Sequence, residues 1–327
     1  MTAAAAQRPR ASAHSALPRV AVLLSVFQGD RYLPAQLGSI AQQRGVDWRI
    51  IWRDDSPATP SASIGRFIMK HGARIEPCSP SPAEHLGVGA SFLRLLASVP
   101  SGIPHVAFAD QDDVWLPDKL RRACDLLASI PPGQPAMVCG RQKLVDQALL
   151  PIGLSPLPSR PLGFRNAIVQ NVATGCTIVL NDAARRLVLE MPPPPAALHD
   201  WWCYLAVTAV GGTVLFDAEP GLLYRQHGAN LVGAEPGLLR RALAATARGP
   251  RPFLQALSDQ MEALLTHQKR LAPAALQTLD LLRGARSASP LRRLRALRES
   301  GAHRQSFAED ATLKLWFALL PLPPARG

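Results

Sequence analysis

The sequence predicts an α/β protein: a mixed, mostly parallel sheet with helices on both faces, followed by a helical C-terminal extension. Three observations carry that reading. Over the first 140 residues short apolar runs alternate with amphipathic stretches, the pattern of strands joined by crossover helices. From about residue 237 apolar residues recur only at helical spacing. Acidic residues collect after two of the predicted strands, where an open α/β sheet places its ligand crevice.

In chain order, VAVLLSVF at Val20–Phe27 reads as a buried strand, and Leu33, Leu37, Ile40 and Ala41 follow at helical spacing. Trp48–Trp52 is a second strand, ending at Asp54–Asp55. A helix over 61–72, a short strand at 74–76, a Pro- and Ser-rich loop at 77–84 and a helix over 88–99 come next. His105–Ala109 is a further strand, and DQDDVWLPDKL leads into a helix over 118–129. Short strands are predicted at 136–140, 173–180 and 213–217, with helices at 182–190 and 200–210. Three C-terminal helices follow: one from Phe253 to near Pro273, one opened by that Pro and closed by Gly284, and one capped by Ser289–Pro290 and stopped at Gly301. The domains expected are a loose basic tail at 1–18, a body at 19–235 and a basic helical region at 236–327.

Composition bounds the function. A chain of 327 residues that is 47% hydrophobic buries a substantial core. The apolar run LWFALLPLP at 315–323 falls short of the roughly 18 residues a spanning helix needs. Five Cys with no CxxC suit a reducing cytosol, and residues 1–18 lack the apolar core of a secretory signal. Residues 20–236 hold eighteen basic and eighteen acidic residues, whereas 237–327 hold fifteen basic against six acidic. A neutral body is a poor nucleic-acid platform, so no nucleic-acid partner is expected; the basic tail suits an anionic surface.

The most informative feature is the cluster Asp110, Asp112 and Asp113 directly after the strand HVAFA. Carboxylates this close repel one another unless a cation offsets them, and hard divalent ions bind through carboxylates plus substrate phosphates. An acidic triplet by itself is better explained by a solvated loop. Its place at a strand end, before apolar Val114–Trp115–Leu116, favours a metal–diphosphate site. Asp54–Asp55 ends another strand on the same rim and suggests a nucleotide pocket, with Asp55 accepting from a base N–H.

An ordered set of segments then resembles glycosyltransferase family 2, and within it the rhamnosyltransferase-like bacterial subgroup. The segments are VAVLLSVFQG (20–29), RDD (53–55), HLGVGASF (85–92), FADQDDVWLPDKL (108–120), NVATGCTIVLN (171–181), HDWW (199–202) and LYRQHGANLVG (223–233). The resemblance implies a GT-A-type fold and a nucleotide-sugar donor. It also implies a divalent metal cofactor, Mg2+ or Mn2+. It places Ser25 beside the nucleotide, Asp55 at the base, and Asp110 and Asp112 at the DxD, with Asp112 the direct metal ligand and Asp113 an extra acid. Asp200 matches the catalytic base, His227 a late ligand to metal or diphosphate, and Arg225 a positive charge near the diphosphate. Three departures fall at the nucleotide end: Phe27–Gln28 replaces a Tyr-Asn pair, Ser56–Pro57 replaces Gly-Ser, and His85 stands where Asn is usual, with Gly89 nearby replacing a polar residue.

The chemistry implied is inverting sugar transfer: a metal on Asp112 steadies the leaving diphosphate while Asp200 takes the acceptor's proton. Asp200 equally suits a helix N-cap after the Pro run. His199 is expected to orient or pack beside it, and Trp115, Trp201 and Trp202 either stack on a sugar or join the core. The subgroup suggests dTDP-rhamnose as donor and a cell-surface polysaccharide or lipid-linked saccharide as acceptor. Another hexose donor, a nucleotidyltransferase and a non-catalytic basic adaptor remain the alternatives. The location expected is cytoplasmic, peripheral on the inner face of the cell membrane.

Overall fold

The structure, a computed structural model, describes residues 16–56, 61–78, 85–195, 197–227 and 249–326. Seven strands form the main sheet: β1 (Arg19–Val26), β2 (Asp47–Asp54), β3 (Ile75–Pro77), β4 (His105–Ala109), β6 (Ala136–Gly140), β9 (Val179–Asn181) and β10 (Thr213–Asp217). Their order is β10-β6-β9-β4-β1-β2-β3, parallel except for β9, which runs antiparallel to both neighbours. The sheet is therefore mixed, as the sequence predicts.

Both faces are covered, which is why the central strands read as continuous apolar runs. Along β1, Val20, Val22, Leu24 and Val26 face one core while Ala21 and Leu23 face the other, the two-residue alternation of a strand. Helices α1 (Leu33–Ala41), α2 (Ala62–His71) and α4 (Lys119–Leu127) contribute to the first core. On the other side lie α3 (Val88–Ala97), the short α5 (Phe164–Ala167), α6 (Asp182–Glu190) and α7 (His199–Ala209). The C-terminal helices α8 (Pro250–Leu265), α9 (Pro273–Gly284), α10 (Pro290–Ser300) and α11 (Phe307–Leu319) join that same core through Leu257, Met261, Leu279, Leu297 and Phe317. Each such large side chain, fully buried, contributes about 1.5–3 kcal/mol. The helices thus share one core with the body. The boundary near residue 235 and most of the 1–18 tail lie outside the described residues.

Four differences from the sequence reading matter. A second sheet, ordered β5-β11-β7-β8, is built from β5 (Val114–Trp115), β7 (Lys143–Val145), β8 (Pro151–Leu154) and β11 (Leu222–Arg225). Strands of two to four residues show too little alternation to be legible. The predicted strand at 173–180 shrinks to β9, because Gly175–Thr177 forms a 3-10 turn packed against α7. Ser289 holds the N-cap position of α10 without a side-chain cap bond, although Gly301 ends that helix in the left-handed conformation as expected. Helix α11 was not foreseen, yet its capping box, Ser306 with Glu309, is an S-x-x-E signature. Among the described residues no helix is long and apolar enough to cross a membrane.

Candidate active site

The site is assembled where β1, β2 and β4 end. Register pairs Leu24 with Ala109 and Ser25 with Arg53, so Ser25, Asp55 and Asp110 emerge on one rim. Gln111 ties this rim together: its Nε2 donates to the Phe27 carbonyl at 2.9 Å and its Oε1 accepts from the Phe27 N–H at 2.8 Å. The side chain crosses so close to Gly29 that a Cβ there would overlap it. The second sheet brings in the late motif. Antiparallel pairing of Trp115 with Leu222 and Val114 with Leu223 carries β11 past the acidic loop. His227, just beyond β11, then places Nε2 2.7 Å from Asp112 Oδ2, with both side chains partly open to solvent at 13% and 20%. Tyr32, which the sequence reading passed over, stacks on His227 at 5.2 Å and lies beneath the Arg225 guanidinium at 4.4 Å. Its signal was an aromatic residue in the turn after the first strand.

Asp110 feels this crowding. Burial, then the charges of Asp112 and Asp200, push its carboxyl up to about 7. The acidic loop and the start of α7 therefore converge on one spot. Asp113 points inward: it is 1% exposed, its Oδ1 accepts from the Arg225 N–H, and burial with its acidic neighbours raises it well above the ordinary value. Asp110, Asp113 and Cys176 offer ligand atoms within 4.8 Å of one another. Burial raises the Cys176 thiol as well, so this inner group beneath the rim carries less negative charge than the same side chains would in water. A hard divalent ion is suited better by the open oxygen of Asp112 with the His227 ring. Cys176 is the inner cluster's third member.

Asp200 lies in the first turn of α7. Leu198 holds the N-cap, so the capping reading is corrected: Asp200 accepts from the Trp201 N–H at 2.6 Å. Burial raises its carboxyl to about 6, although bonds from Trp201, Asn171 and Gly175 oppose the rise. His199 is 5% exposed, packed against Phe92 and Phe108, and neither ring nitrogen has a hydrogen-bond partner among the described residues. Burial drops it to about 3, so it is a neutral packing residue. Gly175 passes against it, and a Cβ there would sit 2.9 Å from His199 Nε2. Trp202 and Trp115 are core residues at 0% and 2% exposure, which removes both as sugar platforms. Trp201 donates to the Ala167 carbonyl at 2.7 Å and faces Phe253.

At the nucleotide end Ser25 Oγ meets Ser91 Oγ of α3 at 2.8 Å. Asp55 is 3% exposed and already engaged by the N–H groups of Leu86 and Gly87, by Arg53 and by His85. Burial would raise its carboxyl, but the donors from Leu86, Arg53 and Gly87 hold it below the ordinary value. Asp54 accepts from the N–H groups of Ser56 and Ser61 and so shapes the turn. Arg225 is 5% exposed; its Nε donates to the Asp112 carbonyl at 2.8 Å and its Nη1 to the Gln147 carbonyl. It braces the acidic loop. Gly89 has a packing reason: a Cβ there would lie 2.8 Å from the Ala197 carbonyl oxygen, in the segment leading to Asp200.

The chain is 26% identical over 226 residues to the dTDP-rhamnosyl transferase RfbG of Shigella flexneri, covering 64% of this chain and 73% of that one. It is 27% identical over 221 residues to an uncharacterized glycosyltransferase of Nostoc sp., covering 65% and 66%. Among solved structures, a mannosyltransferase from Pyrobaculum calidifontis in complex with GDP-Man and Mn2+ has a similar fold. Its TM-score is 0.50 at 15% identity, with 92% of this chain and 88% of that one covered. No family model matches the chain. The fold is that of GT-A glycosyltransferases, and the sequence is similar to two glycosyltransferases.

Proposed function

We propose that the protein is an inverting, divalent-metal-dependent glycosyltransferase that moves rhamnose from dTDP-rhamnose to a hydroxyl of a cell-surface polysaccharide or lipid-linked saccharide. The observation that carries it is one rim on which Asp112 meets His227 and Asp110 feels both Asp112 and Asp200. The rhamnosyl donor is supported by the likeness to the Shigella flexneri protein.

The donor set fits a metal. Carboxylate oxygens suit Mg2+ or Mn2+, the imidazole nitrogen favours Mn2+ of the two, and clustered negative charge with partly open oxygens is what such an ion offsets. Asp112 and His227 would hold it, with Asp110 beside them and Asp113 behind. When bound, the ion supplies neutralisation of the charge that develops on the leaving diphosphate. Asp200, as carboxylate, takes the proton of the acceptor hydroxyl while that oxygen bonds the anomeric carbon from the face opposite the departing diphosphate. One displacement without an enzyme nucleophile inverts the configuration, as in other inverting sugar chemistry that uses one carboxylate base. Ser25 lines the nucleotide side, and Arg225 with Tyr32 steadies the loop bearing Asp112.

The test is turnover of dTDP-rhamnose beside UDP-, GDP- and CDP-sugars, with and without EDTA, using saccharide acceptors and water. Turnover of dTDP-rhamnose that EDTA abolishes and Mn2+ or Mg2+ restores is expected. Turnover of a different donor overturns the rhamnosyl assignment, and EDTA-insensitive turnover overturns the metal.

The same reading places the enzyme on an anionic membrane surface. Arg292, Arg295 and Arg298 lie on the exposed side of α10 with Leu291, while Arg293 is a buried brace that donates to the carbonyls of Phe317 and Ala318. Basic side chains near such a surface contribute about 1 kcal/mol each. The full chain is expected to cosediment with phosphatidylglycerol vesicles at low salt and to be released at high salt. The R292S/R295S/R298S variant should stay in the supernatant; equal behaviour of the two proteins removes the surface role.

A further inference from the structure

The nucleotide end departs from expectation at one residue, and the departure has a chemical logic. Among the described residues both carboxylate oxygens of Asp55 are already engaged. Leu86 N–H at 2.9 Å and the Arg53 guanidinium occupy Oδ1, and Gly87 N–H at 2.8 Å occupies Oδ2, with the His85 ring nitrogen Nδ1 3.0 Å away. Its carboxylate holds the Leu86–Gly87 turn, where Gly87 at φ +77° forms the N-cap of α3. His85 is the opposite case. Its side chain is 54% exposed, and its ring packs 4.9 Å from Phe27, itself 42% exposed at the end of β1. The end of β1 and the start of α3 therefore present one open aromatic face and one open imidazole.

The tautomer follows from the partners. Nδ1 faces two acceptors, Asp55 Oδ2 and, at 3.2 Å, the Asp55 carbonyl oxygen, so it carries the proton and donates. In the neutral ring Nε2 is then left as the acceptor. We propose that His85 Nε2, held in this tautomer by Asp55, reads the donor's base by accepting its imino N–H, with Phe27 supplying the stacking face. The inference rests on the glycosyltransferase reading above. Asp55 is a positioning residue here, and His85 determines specificity. The base class is the one with N–H at the pyrimidine 3-position, uracil or thymine. Cytosine carries an acceptor at that atom and would face a lone pair with a lone pair.

The experiment measures dissociation constants of UDP, dTDP and CDP for the full-length protein by titration calorimetry in Mg2+. Sites built to hydrogen-bond a group reject analogues lacking it, so UDP and dTDP should bind at least about tenfold tighter than CDP. His85→Phe keeps an aromatic ring against Phe27 and deletes the acceptor; it should bring the ratio close to one while CDP affinity and Tm hold. His85→Gln, which returns an acceptor oxygen, should restore part of the preference, an outcome no purely structural role produces. Asp55→Asn, if folded by circular dichroism, should weaken the preference without exceeding the loss in His85→Phe. A preference that survives in His85→Phe overturns the proposal, as does one lost in Asp55→Asn alone. Wild-type protein that binds no nucleoside diphosphate overturns the glycosyltransferase reading with it, so the two failures are distinguishable.

Discussion

At the scale of single residues the proposed chemistry rests on where two carboxylates sit. Asp200 is buried at the start of α7 and raised to about 6, so the carboxylate form that accepts a proton accumulates only above that pH. The rate is therefore expected to rise with pH through about 6 and then level, a limb that pH–rate measurement checks. Asp200→Asn keeps the shape and should lower turnover by about 10²–10⁴-fold with nucleotide binding intact by calorimetry. The sign for stability is opposite to that of most acids. The folded state holds this proton to a higher pH than the ordinary 3.8, so the contribution of Asp200 falls as pH rises between 3.8 and about 6. Asp112→Ala should abolish turnover at any Mg2+ or Mn2+ concentration while Tm stays level or rises. It removes a negative neighbour from Asp110 and Asp113 and leaves the core untouched. A folded variant that keeps turnover would remove Asp112 from the metal site.

Elements decide how these residues meet. The strand ends of the main sheet were legible, because apolar runs of five to eight residues carry their own signal. What brings His227 to Asp112 was not, because it depends on pairing between β5, two residues long, and β11, four residues long. The N-terminus of α3 matters similarly. Gly89 sits against the Ala197 carbonyl, and the segment it touches runs directly into Asp200. Gly89→Ala forces a backbone shift, and overpacking of this kind costs about 1–3 kcal/mol. The variant is expected to show a lowered Tm by calorimetric scanning and a reduced kcat with donor affinity retained. An unchanged Tm and kcat would mean that the segment yields freely.

For the whole molecule, the C-terminal helices are part of the core on which the body depends. Arg304 shows how they are joined. Its guanidinium lies 4.5 Å from the Phe253 ring of α8 and 5.2 Å from the Trp316 ring of α11, and its Nε donates to the Val169 carbonyl beneath α5. Burial lowers it to about 10, so it remains charged at neutral pH in a site that is 8% exposed. Arg304→Ala removes two cation–π contacts and a charged donor, a loss of about 2–4 kcal/mol. Chemical denaturation should show that loss across one transition for body and helices together. Separate unfolding of the C-terminal helices would overturn the shared core.

The sequence by itself determined the order of the main-sheet strands and of most helices, the mixed sheet class and the identity of the acids on its rim. These follow from local periodicity, glycine and proline stops, and motif spacing, all written along the chain. Tertiary structure decided the rest. It turned Asp113 and His199 inward and opened Asp112 and His227. It filled Asp55 with backbone donors and left His85 exposed. Which face of a loop meets solvent depends on neighbours more than a hundred residues away, as Arg225 bonded to Asp112 and Asp113 shows. Burial and pairing of that range leave no local pattern to read.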